Sequence, residues 1–191
     1  MNKPVRLAVF LSGNGTNAEK IFSYFQNHPT VEVALVLSNN VNAFGLTRAA
    51  NFNIQTRRFD KHQFRESEEV INWLKEERIT HIVLAGFLWL IPSNLIAAFP
   101  HRIINIHPAL LPKFGGKGMY GAKVHEAVKA AGEMQTGITI HEVDEKYDEG
   151  KTLFQATCKI DPSDTPLQIA EKVQQLEHAH YPQVIEQWVS K

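Results

Sequence analysis

Three short runs that are apolar at nearly every position limit the fold more than any other feature of the chain. They are Val5–Leu11, Val31–Leu37 and His81–Ala85. A strand with one wet face alternates apolar and polar residues, whereas a strand buried on both faces is apolar throughout, as in parallel sheets. Segments with helical spacing separate the runs. The sequence therefore predicts an α/β fold, with a Rossmann-like, mostly parallel sheet flanked by helices.

The last third of the chain has a different pattern. Gln135–Glu142 alternates like a half-exposed strand, and a turn-rich segment, DEKYDEG, joins it to a second strand, Thr152–Ile160. Two strands so connected are expected to pair antiparallel. Thr165–Val189 then has the length and spacing of a long helix. We expect an antiparallel C-terminal extension of the sheet, followed by a long C-terminal helix.

The remaining elements are shorter. The other predicted strands are Ile54–Arg57 and Arg102–Ile106, and the other predicted helices are Thr16–Gln26, Ala43–Ala50, Phe64–Glu77 and Pro92–Phe99.

Composition excludes several classes of protein. Lys and Arg number 20, as do Asp and Glu, so no charge excess favours a nucleic acid or a membrane surface as partner. The chain contains no run of 18 apolar residues, so no transmembrane helix is expected. The apolar run near the N-terminus is too short for a signal peptide. A single cysteine, Cys158, fits a reducing compartment. We expect a cytoplasmic protein without a nucleic-acid or membrane partner, and the sequence leaves open whether it is a monomer or a homodimer.

The loop after the first strand, SGNGTNAEK, matches a dinucleotide fingerprint only in part. Gly13, Gly15 and Ala18 satisfy G-x-G-x-x-A. The fingerprint also needs an acidic residue near the end of the second strand, where this chain has Leu37-Ser38-Asn39. The sequence therefore does not support a dinucleotide site here.

Two interpretations of this loop stay open. In the first, the backbone N–H groups of Gly15, Thr16 and Asn17 and the Thr16 hydroxyl hold one phosphate at a helix N-terminus. In the second, the loop is a tight turn in which Asn14 or Thr16 caps the helix.

The stretch RIINIHP places an amide and an imidazole at the end of a strand. Asn105 and His107 are two residues apart and point to the same side of an extended chain. Pro108 ends the strand because it has no N–H for the ladder. Ligands bind at the carboxyl ends of parallel strands, where the glycine loop and the GFLWLIP segment should also lie. An amide and a protonated imidazole suit a developing oxyanion, although a purely structural role for both stays open.

A histidine that titrates near 6.5 needs a carboxylate to stay protonated at neutral pH. Asp148, in the segment KYDEG, is the best candidate, with Asp144, Glu145 and Glu149 as rivals.

Several motifs together resemble a known family. NIHPALLP is similar to the NIHPSLLP signature of the folate-dependent formyltransferases. SGNGTN, LAGF, YDEG and LEHAHYP are similar to the phosphoribosylglycinamide branch of that family, over Val5 to about Trp188. The resemblance implies transfer of a formyl group from 10-formyltetrahydrofolate to the amine of glycinamide ribonucleotide, in purine biosynthesis, without a metal. It also implies one domain over residues 1–191, with a nucleotide-binding half to about residue 100 and a catalytic, folate-binding half after it.

The resemblance assigns roles to individual residues. It implies catalysis by Asn105, His107 and Asp148, ribonucleotide binding by Gly15, Thr16, Asn17 and Glu177, and folate binding by Arg65, Leu88, Trp89, Leu90, Ile91, Asn105 and Asp144.

The chain departs from the family pattern at two places. Trp89 stands where an arginine is usual, and the glycine-rich GGKGMYGAKVH replaces a shorter stretch, so that a common histidine is displaced to His125 or absent. The alternatives are a formyltransferase acting on a nucleotide sugar, which would usually be longer, and a non-catalytic nucleotide-binding module. A metal site at His178 and His180 is not expected, because residues i and i+2 do not share a helix face.

Overall fold

One seven-stranded sheet forms the centre of the protein, in the order β3-β2-β1-β4-β5-β6-β7. The structure is a computed structural model that describes residues 4–191. Strands β1 to β5 are parallel, and β6 and β7 continue the sheet antiparallel, as the sequence predicts. The strands are β1 Val5–Leu11, β2 Val31–Ser38, β3 Gln55–Arg58, β4 His81–Leu84, β5 Ile103–His107, β6 Gln135–Glu142 and β7 Thr152–Lys159.

Helices cover both faces of this sheet. They are α1 Thr16–Phe25, α2 Phe44–Asn51, α3 Lys61–Arg65, α4 Glu69–Glu76, α5 Ser93–Ala98, α6 Ala122–Ala130 and α7 Pro166–Val189. None of the helices within residues 4–191 is both long and apolar enough to span a bilayer.

Strand β1 is fully buried from Leu7 to Leu11, and all five of these residues are apolar. Leu7, Val9 and Leu11 pack against a core built with α1, α6 and α7. Ala8 and Phe10 point the other way, into a second core with α4 and α5. Because successive side chains of a strand alternate between faces, a strand segment buried between two helical layers needs apolar residues on both faces.

One helical prediction was wrong, and one helix was missed. The predicted helix Phe64–Glu77 is two helices, since α3 ends at Arg65 and α4 begins at Glu69. Ser67 causes the break: its hydroxyl donates to the carbonyl of Gln63 and accepts from the N–H of Glu69. Such local bonds compete with the helical ladder. Helix α6 was not predicted at all, because a glycine-rich segment that precedes it conceals its start.

A buried tyrosine fastens the long helix α7 to the sheet. Tyr181 is fully buried, and its hydroxyl donates to the carbonyl of Leu84 in β4 at 2.9 Å. The oxygen of Ile104 in β5 lies 3.5 Å from the same hydroxyl. This contact fixes α7 beneath the two strands whose carboxyl ends carry the site described below.

Replacing Tyr181 by Phe should lower the free energy of unfolding by about 1–2 kcal/mol, because it removes one buried hydrogen bond. Urea denaturation of the two proteins measures the difference. Tyr120→Phe is the control, since Tyr120 is 44% exposed and should change stability little. Equal effects of the two substitutions would contradict the anchoring role of Tyr181.

Candidate active site

A cavity of about 680 Å³ lies at the carboxyl ends of β1, β4 and β5. In an open α/β sheet, ligands bind where the strand order reverses, which here is between β1 and β4. Hydrogen bonds join the two strand ends. The N–H of Ser12 donates to the carbonyl of Gly86 at 3.0 Å, and the Ser12 hydroxyl accepts from the N–H of Leu88 at 3.1 Å. The glycine loop and the GFLWLIP segment therefore share one rim.

One wall of the cavity is aromatic and apolar. Leu88, Trp89, Leu90 and Ile91 line it. Trp89 also packs against a cluster of three phenylalanines, with its ring 6.1 Å from that of Phe59 and at similar distances from Phe64 and Phe87. Trp89 is thus both a packed aromatic residue and part of the cavity surface.

The pairing of β5 with β6 places Asn105 opposite His141. The Asn105 amide lies 3.2 Å from Nε2 of His141, and Nδ1 of His141 donates to the carbonyl of Glu142 at 2.8 Å. His141 lines the cavity although the sequence analysis missed it. In the sequence, His141 is only one polar residue on an alternating strand. Its position beside Asn105 follows from the register of β5 against β6, which the sequence does not give.

His107 lies deep in the same wall and is 3% exposed. Its Nε2–H donates to the carbonyl of Phe114 at 2.8 Å, and its Nδ1 lies 3.5 Å from Oδ2 of Asp148. The other carboxylate oxygen, Oδ1, lies 3.5 Å from Nε2 of His141. The N–H of Gly116 donates to Asp148 at 2.9 Å. The carboxylate therefore lies between two buried imidazoles, with a backbone donor to hold it.

The charges of this cluster depend on burial. Burial lowers the pKa of His107, and this outweighs the opposite effects of Asp148 and of the Phe114 carbonyl. For Asp148, burial acts to raise the pKa, but the hydrogen bond to His141, the charge of His107 and the Gly116 N–H together hold it below its ordinary value. Asp148 thus acts on His107 in the expected direction, while burial has the stronger effect.

At the other end of the cavity, the glycine loop meets α7. Asn17 and Glu177 both line the cavity, and the Asn17 amide donates to Glu177 at 3.0 Å. The Oδ1 atom of Asn17 is buried without a hydrogen-bond partner among residues 4–191. Burial raises the pKa of Glu177 to about 7, against the effect of the Asn17 bond. This end of the cavity offers an unused acceptor and a carboxyl group that is half protonated near neutral pH.

Gly15 and Thr16 lie behind this end and do not line the cavity. Gly15 has φ +74°, and a Cβ there would lie 2.6 Å from the Cα of Gly45 in α2. The position therefore requires glycine for packing alone. The Thr16 hydroxyl accepts from the side chain of Gln174 at 3.3 Å. Neither Asn14 nor Thr16 caps α1, whose N-cap residue is Gly15.

Two further candidates do not reach the cavity surface. Arg65 is exposed at the end of α3. Asp144 accepts from the N–H of Lys146 at 2.9 Å within its own loop. Among the described residues 4–191, no group of three or more His, Cys, Asp or Glu side chains is arranged to hold a metal ion.

The glycine-rich segment and α6 supply residues whose position the sequence left open. Lys117, Met119 and Tyr120 line the cavity as well. His125, in the first turns of α6, is 7% exposed and also lines it. The family resemblance named His125 as one position for a displaced histidine, but because α6 was not predicted, the sequence did not place this ring at the cavity.

Comparison with known proteins identifies the family. A family model described as formyl transferase matches residues 5–185. The chain belongs to the formyl transferase family. A phosphoribosylglycinamide formyltransferase of Bacillus subtilis is 35% identical over 187 residues, which are 95% of this chain and 93% of that protein. The chloroplastic enzyme of the same name from Arabidopsis thaliana is 40% identical, over 94% of this chain and 64% of the plant protein.

Solved structures of similar proteins have the same fold. The crystal structure of a phosphoribosylglycinamide formyltransferase from Bacillus halodurans has a TM-score of 0.87 and 36% identity, and the match covers 97% of this chain and 96% of that one. The chain spans less than two thirds of the length of the two plant relatives, 64% in Arabidopsis thaliana and 60% in Vigna unguiculata.

In this member of the formyl transferase family, Asp148→Asn should lower the pKa of His107 further, because the imidazolium loses its nearby negative charge. Titration of the ring nitrogens by NMR measures the shift. Asp144→Asn is the matched control, because that carboxylate lies in the same loop but bonds only to Lys146. An unchanged His107 pKa in Asp148→Asn would show that the 3.5 Å contact has no electrostatic effect.

The raised pKa of Glu177 predicts a pH-dependent stability. The folded state favours the protonated carboxyl group, so its contribution is present below pH 4.5 and is lost as pH rises through about 7. A shift of this size corresponds to about 3 kcal/mol. The free energy of unfolding of the wild type should therefore fall between pH 5 and 8 relative to that of Glu177→Gln, measured by urea denaturation at each pH. Parallel curves would contradict the prediction.

Proposed function

We propose that this protein transfers the formyl group of 10-formyltetrahydrofolate to the amine of glycinamide ribonucleotide, a step of purine biosynthesis. Membership of the formyl transferase family and the names of the relatives support the proposal. The observation that carries it is the cluster of Asn105, His107 and Asp148 at the carboxyl-end cavity. A non-catalytic binding module would not need a buried carboxylate beside an imidazole and a strand-end amide.

The two ends of the cavity fit the two substrates. Asn17 and Glu177 offer hydrogen-bonding groups for the ribonucleotide, and the N-terminus of α1 behind them favours a phosphate. The apolar wall of Leu88–Ile91, with the face of Trp89, fits a flat heterocycle such as a folate ring. The family resemblance also supports phosphate binding by Gly15 and Thr16. It likewise supports folate binding by Arg65 and Asp144. The nucleotide-binding and catalytic halves divide near residue 100.

In the proposed reaction, the substrate amine attacks the formyl carbon. A C–N bond forms and the carbonyl electrons move to the oxygen. The Asn105 amide donates one hydrogen bond to this oxyanion. His107 donates a second after exchanging its bond to the Phe114 carbonyl for one to the oxyanion. The intermediate then collapses, the bond to the folate nitrogen breaks, and one proton passes from the amine to that nitrogen. Asp148 orients His107 and favours its charged form.

Single-turnover formyl transfer tests the proposal. Wild-type protein should form formylglycinamide ribonucleotide, whereas a nucleotide sugar amine should not be formylated. Asn105→Ala and His107→Ala should each slow transfer on the order of 100- to 1,000-fold, because each removes one oxyanion donor. The double variant His107→Ala/Asp148→Asn should be little slower than His107→Ala, because Asp148 acts through that histidine.

Absence of transfer by the wild type would reject the proposed activity. Formylation of the sugar amine alone would favour the other branch of the family. Multiplicative losses in the double variant would leave the activity standing but would show that Asp148 and His107 act independently.

A further inference from the structure

Three imidazoles line the cavity, and two of them are fully engaged. His107 uses Nε2 for the Phe114 carbonyl and directs Nδ1 at Asp148. His141 uses Nδ1 for the Glu142 carbonyl and directs Nε2 at Asn105 and Asp148. Neither ring has a nitrogen left over for a substrate unless a protein contact breaks. The remaining ring is His125.

His125 has no hydrogen-bond partner at its buried Nδ1 among residues 4–191, and its ring lines the cavity. Buried polar atoms are nearly always paired, so an unpaired imidazole in a cavity wall needs an explanation. Its position is also well fixed, because α6 packs on α7 and buries the ring with Val124 and Val128. A residue that merely filled space here would be apolar.

We propose that His125 is a further catalytic residue, which accepts the proton that the attacking amine releases and passes it to the departing folate nitrogen. This inference rests on the proposed formyl transfer. As the new C–N bond forms, one N–H bond of the amine breaks and an N–H bond forms on the imidazole. When the intermediate collapses, the electron pair of the broken C–N bond takes this proton from the ring, and His125 returns to its neutral form.

The surroundings of His125 favour its neutral form, which a proton acceptor requires. Burial lowers the pKa of His125, and the neighbouring His107 lowers it further. A neutral imidazole is a base at neutral pH, whereas an imidazolium is not. The contacts therefore assign different roles to the two histidines. His107, which Asp148 holds, donates to the oxyanion. His125, which has no carboxylate partner among residues 4–191, transfers the proton.

The experiment compares His125→Ala, His125→Gln and the control His62→Ala, an exposed histidine on α3. Binding of a reduced-folate analogue and of the ribonucleotide is measured beside single-turnover transfer. Both His125 variants should bind the ligands like the wild type but transfer the formyl group at least about 100-fold more slowly, as expected for loss of a proton acceptor. Added imidazole should restore transfer by His125→Ala in proportion to its concentration, and more basic substituted imidazoles should restore more. Imidazole should have no effect on His62→Ala.

Unimpaired transfer by the His125 variants would overturn the proposal. So would slow transfer that imidazole does not restore, or a loss explained by weaker ligand binding, since each would assign His125 to packing. Should His125→Ala not fold, His125→Gln decides, because it keeps a polar side chain of similar size that is not a base. An inactive wild type would instead reject the proposed function, so the two failures are distinguishable.

Discussion

The antiparallel pairing of β5 with β6 is the constraint on which the site depends. Up to β5, each strand is parallel to its neighbour, and every crossover returns the chain to the same edge. Strand β6 runs antiparallel beside β5, and their register places Asn105 opposite His141. The same reversal makes the β6–β7 connection available to carry Asp148 back to His107. A sixth parallel strand would have left the strand-end amide and imidazole without these partners.

Once these groups are buried together, their protons are coupled. Nε2 of His107 is committed to a carbonyl, so any second proton on the ring must sit on Nδ1, which faces the Asp148 carboxylate. Burial disfavours the resulting imidazolium, and the carboxylate favours it. Because these effects oppose each other, a change in the environment of Asp148 shifts the balance between the neutral and charged forms of His107. A substrate that excludes water from the cavity would strengthen the carboxylate's influence.

Sequence reasoning succeeded where a local pattern determines the outcome and failed where a distant contact does. The run Val5–Leu11, apolar except for Arg6, predicts a strand buried on both faces. Asn105 and His107 could be placed at a ligand-binding rim because Pro108 must end their strand. His141 could not be placed without the β5–β6 register. His125 could not be placed because four glycines between residues 115 and 121 hide the start of α6. Ser67 divided a predicted helix through hydrogen bonds that its spacing does not reveal.

The contact between His107 and Phe114 links the glycine-rich segment to the proposed chemistry. Phe114 has φ +56°, in the left-handed region that a bulky residue adopts at a cost on the order of 1–2 kcal/mol. Its carbonyl is thereby aimed at Nε2 of His107, where it satisfies a buried donor. A developing oxyanion is a stronger acceptor than a neutral carbonyl, so it replaces this bond with one of greater strength. His107 is therefore a donor that is satisfied in the resting protein and that an oxyanion, as the stronger acceptor, can take over from the Phe114 carbonyl.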